Sequence, residues 1–189
     1  MAESLGKKYS RRIEFSQGTD EEIWGINRDS TVNVGRTPIS SRGTLDLHSI
    51  QQNNIEGENN KTITFIKVNK FKTDLKVPQK VGLSSGRHYS ELMALALEST
   101  EWALVREQRP NCTIIMPEAS PYYWGGLIFF FQMATAFEGE LLNINAFNQP
   151  GVEGYKNYMY YKLNKPGIPQ DIIEEINKNP LKKEQRFII

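Results

Sequence analysis

The sequence has one cysteine, two histidines and almost no net charge. Its 189 residues include a single thiol, Cys112, and carry a formal net charge of +1. One thiol cannot form an intrachain disulfide, which is typical of a reducing compartment, so we expect a cytoplasmic protein. The two histidines are far apart and offer no zinc-binding spacing. The balanced charge gives no general attraction to nucleic acid or to an anionic membrane.

Nucleotide-binding and targeting motifs are also missing. The sequence contains neither GxGxxG nor GxxxxGK[ST], so dinucleotide and P-loop chemistry have no support. Residues 1–12 are polar and basic without an apolar segment behind them, unlike a signal peptide. Residues 119–137 (ASPYYWGGLIFFFQMATAF) are uncharged over nearly the length of a membrane span. Internal polar residues and acidic flanks favour a buried core helix instead.

From residue 62 onwards the sequence alternates between strand and helix patterns. Short β-branched or apolar runs predict strands, and longer runs with helical periodicity predict helices. The predicted strands are 62–70, 112–118 and 140–147, and the predicted helices are 89–108, a segment opening at 120–121, 152–165 and 169–179. This alternation is typical of a parallel sheet covered by helices, so we predict a single α/β domain.

The first 60 residues have weaker patterns. Residues 1–10 resemble the tail of a helix that stops at Gly6. Residues 11–44 are polar and rich in turn-forming residues, which favours a long loop or a short hairpin. Residues 45–60 predict a short helix that ends in an asparagine- and glycine-rich loop.

The turn before the helix at 152–165 is a candidate ligand site. In a parallel sheet, ligands bind beyond the carboxyl ends of the strands, where helix N-termini favour anions. Gln149 lies in this turn, and Lys156 lies about one turn into the helix. Spacing alone does not make this pair a site, and it favours a turn glutamine and a solvated lysine.

The remaining candidate residues are isolated in the sequence. His48, two positions after Asp46, could exchange protons near neutral pH, but taken alone it is better interpreted as an exposed polar residue. His88 precedes a predicted helix and is interpreted as a capping or surface group. Cys112 lies in an apolar strand, where a thiol is usually inert, so we do not expect a nucleophile.

Three segments resemble glucose-6-phosphate isomerases. GELLNINAFNQPGVEGYK (139–156) is similar to the C-terminal signature of that family. In this signature an aromatic residue, a polar residue and Gln are consecutive. After one further residue come Gly, then Val or Ile, then Glu, and Lys lies three positions after the Glu. GTLDLHSIQQ (43–52) resembles the segment with the active-site histidine, and AESLGKK (2–8) resembles the segment with the catalytic glutamate. The residues that match the signature are Gly139, Leu141, Leu142, Phe147, Asn148, Gln149, Gly151, Val152, Glu153 and Lys156.

The resemblance implies a fold, a reaction and residue roles. The fold would be a sugar-isomerase (SIS-type, flavodoxin-like) domain. The reaction would interconvert glucose 6-phosphate and fructose 6-phosphate through a cis-enediol in glycolysis and gluconeogenesis, with no metal or organic cofactor; mannose 6-phosphate remains an open alternative. By resemblance, Glu3 shuttles the proton between C2 and C1. His48 and Lys156 assist ring opening, and Gln149 helps to hold the sugar.

The resemblance also implies that residues 1–189 are the C-terminal domain of a longer enzyme. The family's N-terminal half carries an SxTxxTxE phosphate-binding loop and a GGR[FY]S segment, and neither occurs here; SSGRHYS (84–90) has a different order. We therefore expect the chain alone to be nearly inactive. The family's homodimers imply that His48 serves the partner subunit's site. The alternative is a non-catalytic sugar-phosphate-binding regulatory module, which would not need Glu3, His48 and Lys156 together.

Overall fold

The structure, a computed structural model, describes residues 1–15, 18 and 22–181. The chain divides into two compact units, a terminal unit of residues 1–37 and 133–189 and a central unit of residues 38–132. That residues 1–189 form one domain of a longer enzyme stays a prediction. The elements are α1 (Ala2–Leu5), β1 (Lys7–Phe15), β2 (Glu22–Val34), α2 (Gln51–Glu56), β3 (Ile63–Val68), α3 (Tyr89–Arg106), β4 (Asn111–Met116), α4 (Pro121–Leu141), α5 (Pro150–Lys162), α6 (Gln170–Lys178) and two 3₁₀ helices, Leu45–His48 and Gly82–Ser84.

The central unit contains the predicted parallel sheet. β3 pairs with β4 in a parallel register that runs from Ile63 opposite Asn111 to Val68 opposite Met116. α3 connects the two strands, as parallel pairing requires, and its buried residues include Leu104. The strands predicted at 62–70 and 112–118 and the helix at 89–108 are therefore confirmed, and the fold is mixed α/β.

The terminal unit contains an antiparallel hairpin, where the sequence favoured a long loop or a short hairpin over residues 11–44. β1 and β2 are nine and thirteen residues long, so the loop interpretation is wrong for most of that stretch. The strand pattern was hidden because the hairpin has few buried apolar residues and many exposed polar ones, among them Arg12, Glu14 and Arg28. Residues 16, 17 and 19–21 of the predicted loop lie outside the described residues.

The helix tail predicted within residues 1–10 is confirmed, and it stops at Gly6 as predicted. α1 ends at Leu5, and after Gly6 the chain begins β1 at Lys7. The turn is tight because Gly35 lies against it: a Cβ on Gly35 would be 2.7 Å from the Cα of Gly6, and the φ of Gly35 is +136°. Glycine is the residue that tolerates such a close approach and such a backbone angle.

The strand predicted at 140–147 is wrong. Residues 140 and 141 end α4, and Asn143 then adopts a φ of 51°, which turns the chain out of the helix. The N–H of Ile144 donates to the carbonyl of Gly139 over 2.9 Å and closes this turn. Ile144 and Ala146 are buried, so their alternation reflects a packed turn and not a strand.

The prediction of a buried helix at 119–137 is half right. The helix is present as α4, but many of its large apolar side chains are exposed. No helix among the described residues is long and apolar enough to span a membrane. The apolar sequence predicted a buried helix, but the described residues do not bury all of the apolar side chains of α4. The side chains that are more than half exposed are Tyr122, Ile128, Phe129, Phe130, Phe137 and Leu141.

Candidate active site

A small hydrophobic core in the terminal unit anchors two of the candidate segments. Leu5, Ile144 and Ala146 form this core and are at most 6% exposed. Glu3 lies two residues before Leu5, and Gln149 lies three residues after Ala146. The core therefore holds the predicted base and the predicted sugar-binding turn on one scaffold, although they are far apart in sequence. The apolar residues packed around it are Val32, Val34 and Leu142.

An ion pair joins the hairpin to the end of α4. The Arg11 guanidinium in β1 donates to both carboxylate oxygens of Glu140, over 2.6 and 2.7 Å. The Arg11 side chain is only 6% exposed, and its backbone N–H donates to the carbonyl of Asn143 over 2.7 Å. This hydrogen-bonded guanidinium lowers the pKa of Glu140. Bidentate pairs fix geometry strongly, so the contact sets where the turn after α4 lies.

Glu3 is exposed in the first turn of α1, and a buried lysine, Lys7, follows four residues later in the sequence. Lys7 is 7% exposed, and its Nζ donates to the carbonyl of Ser4. Burial lowers the pKa of Lys7. A lysine after a helix-ending glycine can satisfy the last helix carbonyls, and that signal was available in the sequence. Lys7 thereby holds the short helix that carries Glu3.

Gln149 is the N-cap residue of α5 and directly precedes Pro150. Its side chain is exposed, and its carbonyl accepts the N–H of Val152 over 3.1 Å, with Pro150 at the first helical position. The neighbouring Asn148 was not assigned a role from the sequence. Its Oδ1 is buried and has no hydrogen-bond partner in the described part of the chain. An acceptor in this state can take a hydrogen bond from a hydroxyl.

Lys156 is paired with a neighbour on the same helix. Its Nζ lies 2.9 Å from Glu153 Oε1, three residues earlier. This hydrogen bond, together with the negative charge of Glu153, raises the pKa of Lys156. Both side chains are partly exposed, so solvent screens the pair and its contribution to stability is small. The ammonium remains charged at neutral pH.

His48 lies in the central unit, whereas Glu3, Gln149 and Lys156 lie in the terminal unit. It ends the 3₁₀ helix Leu45–His48 and is exposed. Asp46 orders this segment, since its Oδ2 accepts the backbone N–H of Arg42 over 2.6 Å and its carbonyl accepts the N–H of Ser49.

The two residues that the sequence analysis set aside lie elsewhere in the central unit. His88 is the N-cap residue of α3, but the capping carboxylate is Asp74, which accepts the N–H and hydroxyl of Ser90. His88 Nδ1 lies 3.2 Å from the same carboxylate. Cys112 is exposed, not buried as its apolar strand suggested, and its Sγ lies 3.4 Å from Thr64 Oγ1.

Several known proteins similar to this chain are named glucose-6-phosphate isomerases. Residues 49–166 match the family model of phosphoglucose isomerase. A glucose-6-phosphate isomerase of Carboxydothermus hydrogenoformans is 35% identical over an alignment of 195 positions, which covers 100% of this chain and 38% of that protein. The crystal structure of a hypothetical protein from Thermus thermophilus gives a TM-score of 0.71 at 30% identity, over 85% of this chain and 35% of that one.

A second solved structure supports the fold. The crystal structure of a glucose-6-phosphate isomerase from Chlamydia trachomatis gives a TM-score of 0.58 at 20% identity, covering 94% of this chain and 34% of that one. At this identity the likeness concerns the fold alone. The chain thus spans 38% of the length of its Carboxydothermus relative and about a third of each structural neighbour.

Proposed function

The chain belongs to the phosphoglucose isomerase family, and on this premise we propose that it is the C-terminal part of an enzyme that interconverts glucose 6-phosphate and fructose 6-phosphate. The observation that carries the proposal is the shared core of Leu5, Ile144 and Ala146, which anchors the Glu3 segment beside the signature turn. The reaction belongs to glycolysis and gluconeogenesis. The single cysteine supports a cytoplasmic location.

The first chemical step is opening of the sugar ring. His48 and Lys156 exchange protons with the ring oxygen and the hydroxyl at C1, which breaks the C1–O5 bond and leaves an aldehyde. An imidazole suits this task because its ordinary pKa is close to neutral pH. The ammonium of Lys156, kept protonated by Glu153, favours negative charge that develops on oxygen.

The second step is proton transfer between two carbons. The Glu3 carboxylate removes the proton from C2, and the electron pair forms the C1–C2 double bond of a cis-enediol while the C1 oxygen becomes a hydroxyl. Glu3 then returns the proton to C1, and the C2 hydroxyl releases its proton as C2 becomes the ketone carbon, which balances the proton that the C1 oxygen took up when the enediol formed. Gln149, at the exposed start of α5, holds sugar hydroxyls with its amide, which can both donate and accept.

The proposal includes two partners. The first is the N-terminal half of the enzyme, which binds the phosphate; charge-assisted bonds to phosphate are among the strongest polar contacts. The second is another copy of the chain, so that His48 serves the site of the partner subunit. The assignment of His48 and Glu3 to separate compact units is compatible with this sharing.

A coupled isomerase assay tests the proposal. The 189-residue chain alone should show little or no turnover of fructose 6-phosphate. Adding the part of the Carboxydothermus hydrogenoformans enzyme that this chain does not match should restore turnover, because that part supplies the phosphate-binding residues. Normal turnover by the chain alone would contradict the need for a second part. Failure of all such mixtures, with both polypeptides folded, would contradict the enzymatic assignment.

A further inference from the structure

The loop of residues 69–88, which joins β3 to α3 in the central unit, carries a cluster of cations. It contains four lysines and Arg87 but a single acid, Asp74, so its formal charge is +4 in a chain whose total is +1. The balanced total conceals this cluster, because exposed charges act over about 10 Å at moderate salt and not over the whole molecule. The four lysines, all of them exposed, are Lys70, Lys72, Lys76 and Lys80.

The charge of these lysines is not neutralised within the described part of the chain. None of the four forms an ion pair there, whereas Lys156 pairs with a glutamate on its own helix. The Asp74 carboxylate accepts the N–H and the hydroxyl of Ser90 and so caps α3, and Arg87 pairs with Glu91. From residue 75 to residue 90 the sequence contains no acid. The four ammonium groups therefore face solvent with their full charge.

Large apolar side chains are exposed in the same loop. The 3₁₀ helix Gly82–Ser84 forms the tip of the loop, where Leu83 is 100% exposed and the preceding Val81 is 55% exposed. Leu75 and Phe71 are exposed as well, at 65% and 42%. Three of these four apolar residues adjoin a lysine in the sequence. A partner that fits the loop must therefore attract cations and also take up apolar side chains.

The backbone at the tip of the loop is hydrogen-bonded internally. Ser85 Oγ accepts the N–H of Val81 and donates to the carbonyl of Gly82, both over 2.8 Å. The N–H of Arg87 donates to the carbonyl of Ser84 over 3.1 Å. Unpaired backbone groups are costly in an apolar environment. Because these groups at the tip are already paired, the tip can leave water at low cost.

The loop is also fixed to the rest of the central unit. The N–H of Ala119, which follows β4, donates to the carbonyl of Lys70 over 2.9 Å. The N–H of Tyr89, at the start of α3, donates to the carbonyl of Leu75 over 2.9 Å. Between these two anchors and the tip, Val77 is buried. A loop that is ordered before it binds loses little conformational entropy on binding.

We propose that this loop binds the surface of an anionic lipid bilayer. The lysines contact the anionic headgroups, and Val81 and Leu83 enter the boundary between headgroups and acyl chains. Single-stranded nucleic acid also attracts lysines, but its bases stack on aromatic side chains, and three of the four exposed apolar residues are aliphatic. An anionic bilayer takes up both lysines and aliphatic side chains. This peripheral binding is separate from the isomerase chemistry and goes beyond it.

Co-sedimentation of the full 189-residue chain with lipid vesicles tests the proposal. Vesicles of phosphatidylcholine with about 30% phosphatidylglycerol should bind the chain at least tenfold more tightly than vesicles of phosphatidylcholine alone, because each lysine near an anionic surface contributes about fivefold in affinity. The binding should weaken as the salt concentration rises. Equal binding to the two kinds of vesicle would overturn the proposal, since exposed apolar residues elsewhere, such as those of α4, would then account for it.

Matched lysine variants test the charge of the loop. Lys76→Gln combined with Lys80→Gln should lower the affinity for the anionic vesicles by about tenfold or more. The control combines Lys8→Gln with Lys162→Gln, which changes two exposed lysines of the terminal unit and should leave the affinity nearly unchanged. All four side chains are exposed, so both double variants should keep the fold. Equal losses in the two double variants would overturn the proposal.

Matched leucine variants test insertion of the tip. Leu83→Ser should weaken binding to the anionic vesicles by about threefold or more, because the hydroxymethyl group does not gain from leaving water. Leu163→Ser is the control, since Leu163 is 70% exposed and lies just after α5. It should leave the affinity nearly unchanged. If Leu83→Ser binds as tightly as the wild type, the tip does not enter the bilayer and the proposal is wrong.

Two outcomes would assign the loop to another partner. Binding of a single-stranded oligonucleotide that is lost in the Lys76 and Lys80 variant, without binding to anionic vesicles, would make the loop a nucleic-acid site and overturn the proposal. Loss of vesicle binding in the complemented enzyme would show that the loop is covered there, and would also overturn it. Isomerase turnover is measured separately, so vesicle binding without turnover would contradict the proposed function alone, and turnover without vesicle binding would contradict this inference alone.

Discussion

Glu3 is the residue on which the proposed chemistry depends most. Replacement by glutamine keeps the size of the side chain and removes the base. In the complemented enzyme, Glu3→Gln should lower kcat by about 10²-fold or more, since positioned proton transfer contributes about 10²–10⁴-fold. Binding of the sugar phosphate should be unchanged, as measured by titration calorimetry. If turnover survives, Glu3 is not the base. Glu14→Gln, an exposed change in β1, is the control.

Lys156 has a role that can be separated from simple anchoring. Lys156→Ala removes the ammonium that assists ring opening, so turnover of cyclic hexose phosphates should fall more than turnover of open-chain analogues. The comparison is the ratio of the two kcat/KM values in the complemented enzyme. An equal loss on both substrates would make Lys156 an anchor and not an acid. Lys162→Ala, on the same helix, should leave the ratio unchanged.

Burial of Lys7 should make the free energy of unfolding depend on pH. Burial lowers its pKa below 10.5 in the folded chain, so between the folded pKa and 10.5 the unfolded chain binds more protons. The free energy of unfolding should therefore rise with pH in that window. Urea denaturation should show this rise in the wild type and not in Lys7→Met. Lys8→Met, in which an exposed lysine is changed, should behave like the wild type; a rise in Lys7→Met would assign the effect to another group.

At the scale of elements, the turn after α4 depends on a missing side chain. A Cβ on Gly139 would lie 2.7 Å from the Cβ of Ala146, whereas a Cβ on Gly125, in the same helix, would meet nothing within 4 Å. Gly139→Ala should cost about 1–3 kcal/mol through overpacking. Gly125→Ala should stabilise by up to about 1 kcal/mol through helix propensity. Thermal unfolding measures the stability of both variants. If the two variants change the unfolding temperature equally, the turn after α4 accommodates the added methyl group without loss of stability.

The elements that were predicted correctly are those in which apolar or β-branched residues recur with the spacing of a strand or a helix. β3, α3 and β4 have β-branched or helical periodicity, and the structure has all three. The strand predicted at 140–147 failed because Leu142, Ile144 and Ala146 alternate as in a strand, while Asn143 turns the chain through a positive φ. The spacing of apolar residues does not indicate a positive φ at a single residue.

The candidate site was only partly accessible to the sequence. Glu3, His48 and Lys156 were identified by resemblance, because spacing alone favoured ordinary surface residues. The core that joins Leu5 to Ile144 was not predictable, since it packs residues that are far apart in the chain. The position of Lys7 after a helix-ending glycine was visible in the sequence, but its burial was not, since that depends on packing in the folded chain.

At the scale of the whole molecule, sharing of the site between subunits is testable by mixing. A dimer that pairs a Glu3→Gln chain with a His48→Ala chain would have one intact site only if His48 serves its partner. Neither variant alone should be active. An equal mixture of the two variants, with the missing part of the enzyme added, should recover about a quarter of wild-type turnover. Half of the dimers in this mixture are mixed, and each mixed dimer has one intact site of two. No recovery in mixed dimers verified by native mass spectrometry would place the three residues in one subunit.

Because aromatic residues of α4 are exposed, the solubility of this chain should depend on how much of it is made relative to the missing part of the enzyme. Apolar patches of this kind promote association. Encounters between two bare copies scale with the square of their concentration, whereas encounters with a covering polypeptide scale with the product of the two concentrations. On the proposed function the covering polypeptide is the missing part of the enzyme, so balanced co-expression of the two should keep more of this chain in solution than synthesis of the chain by itself.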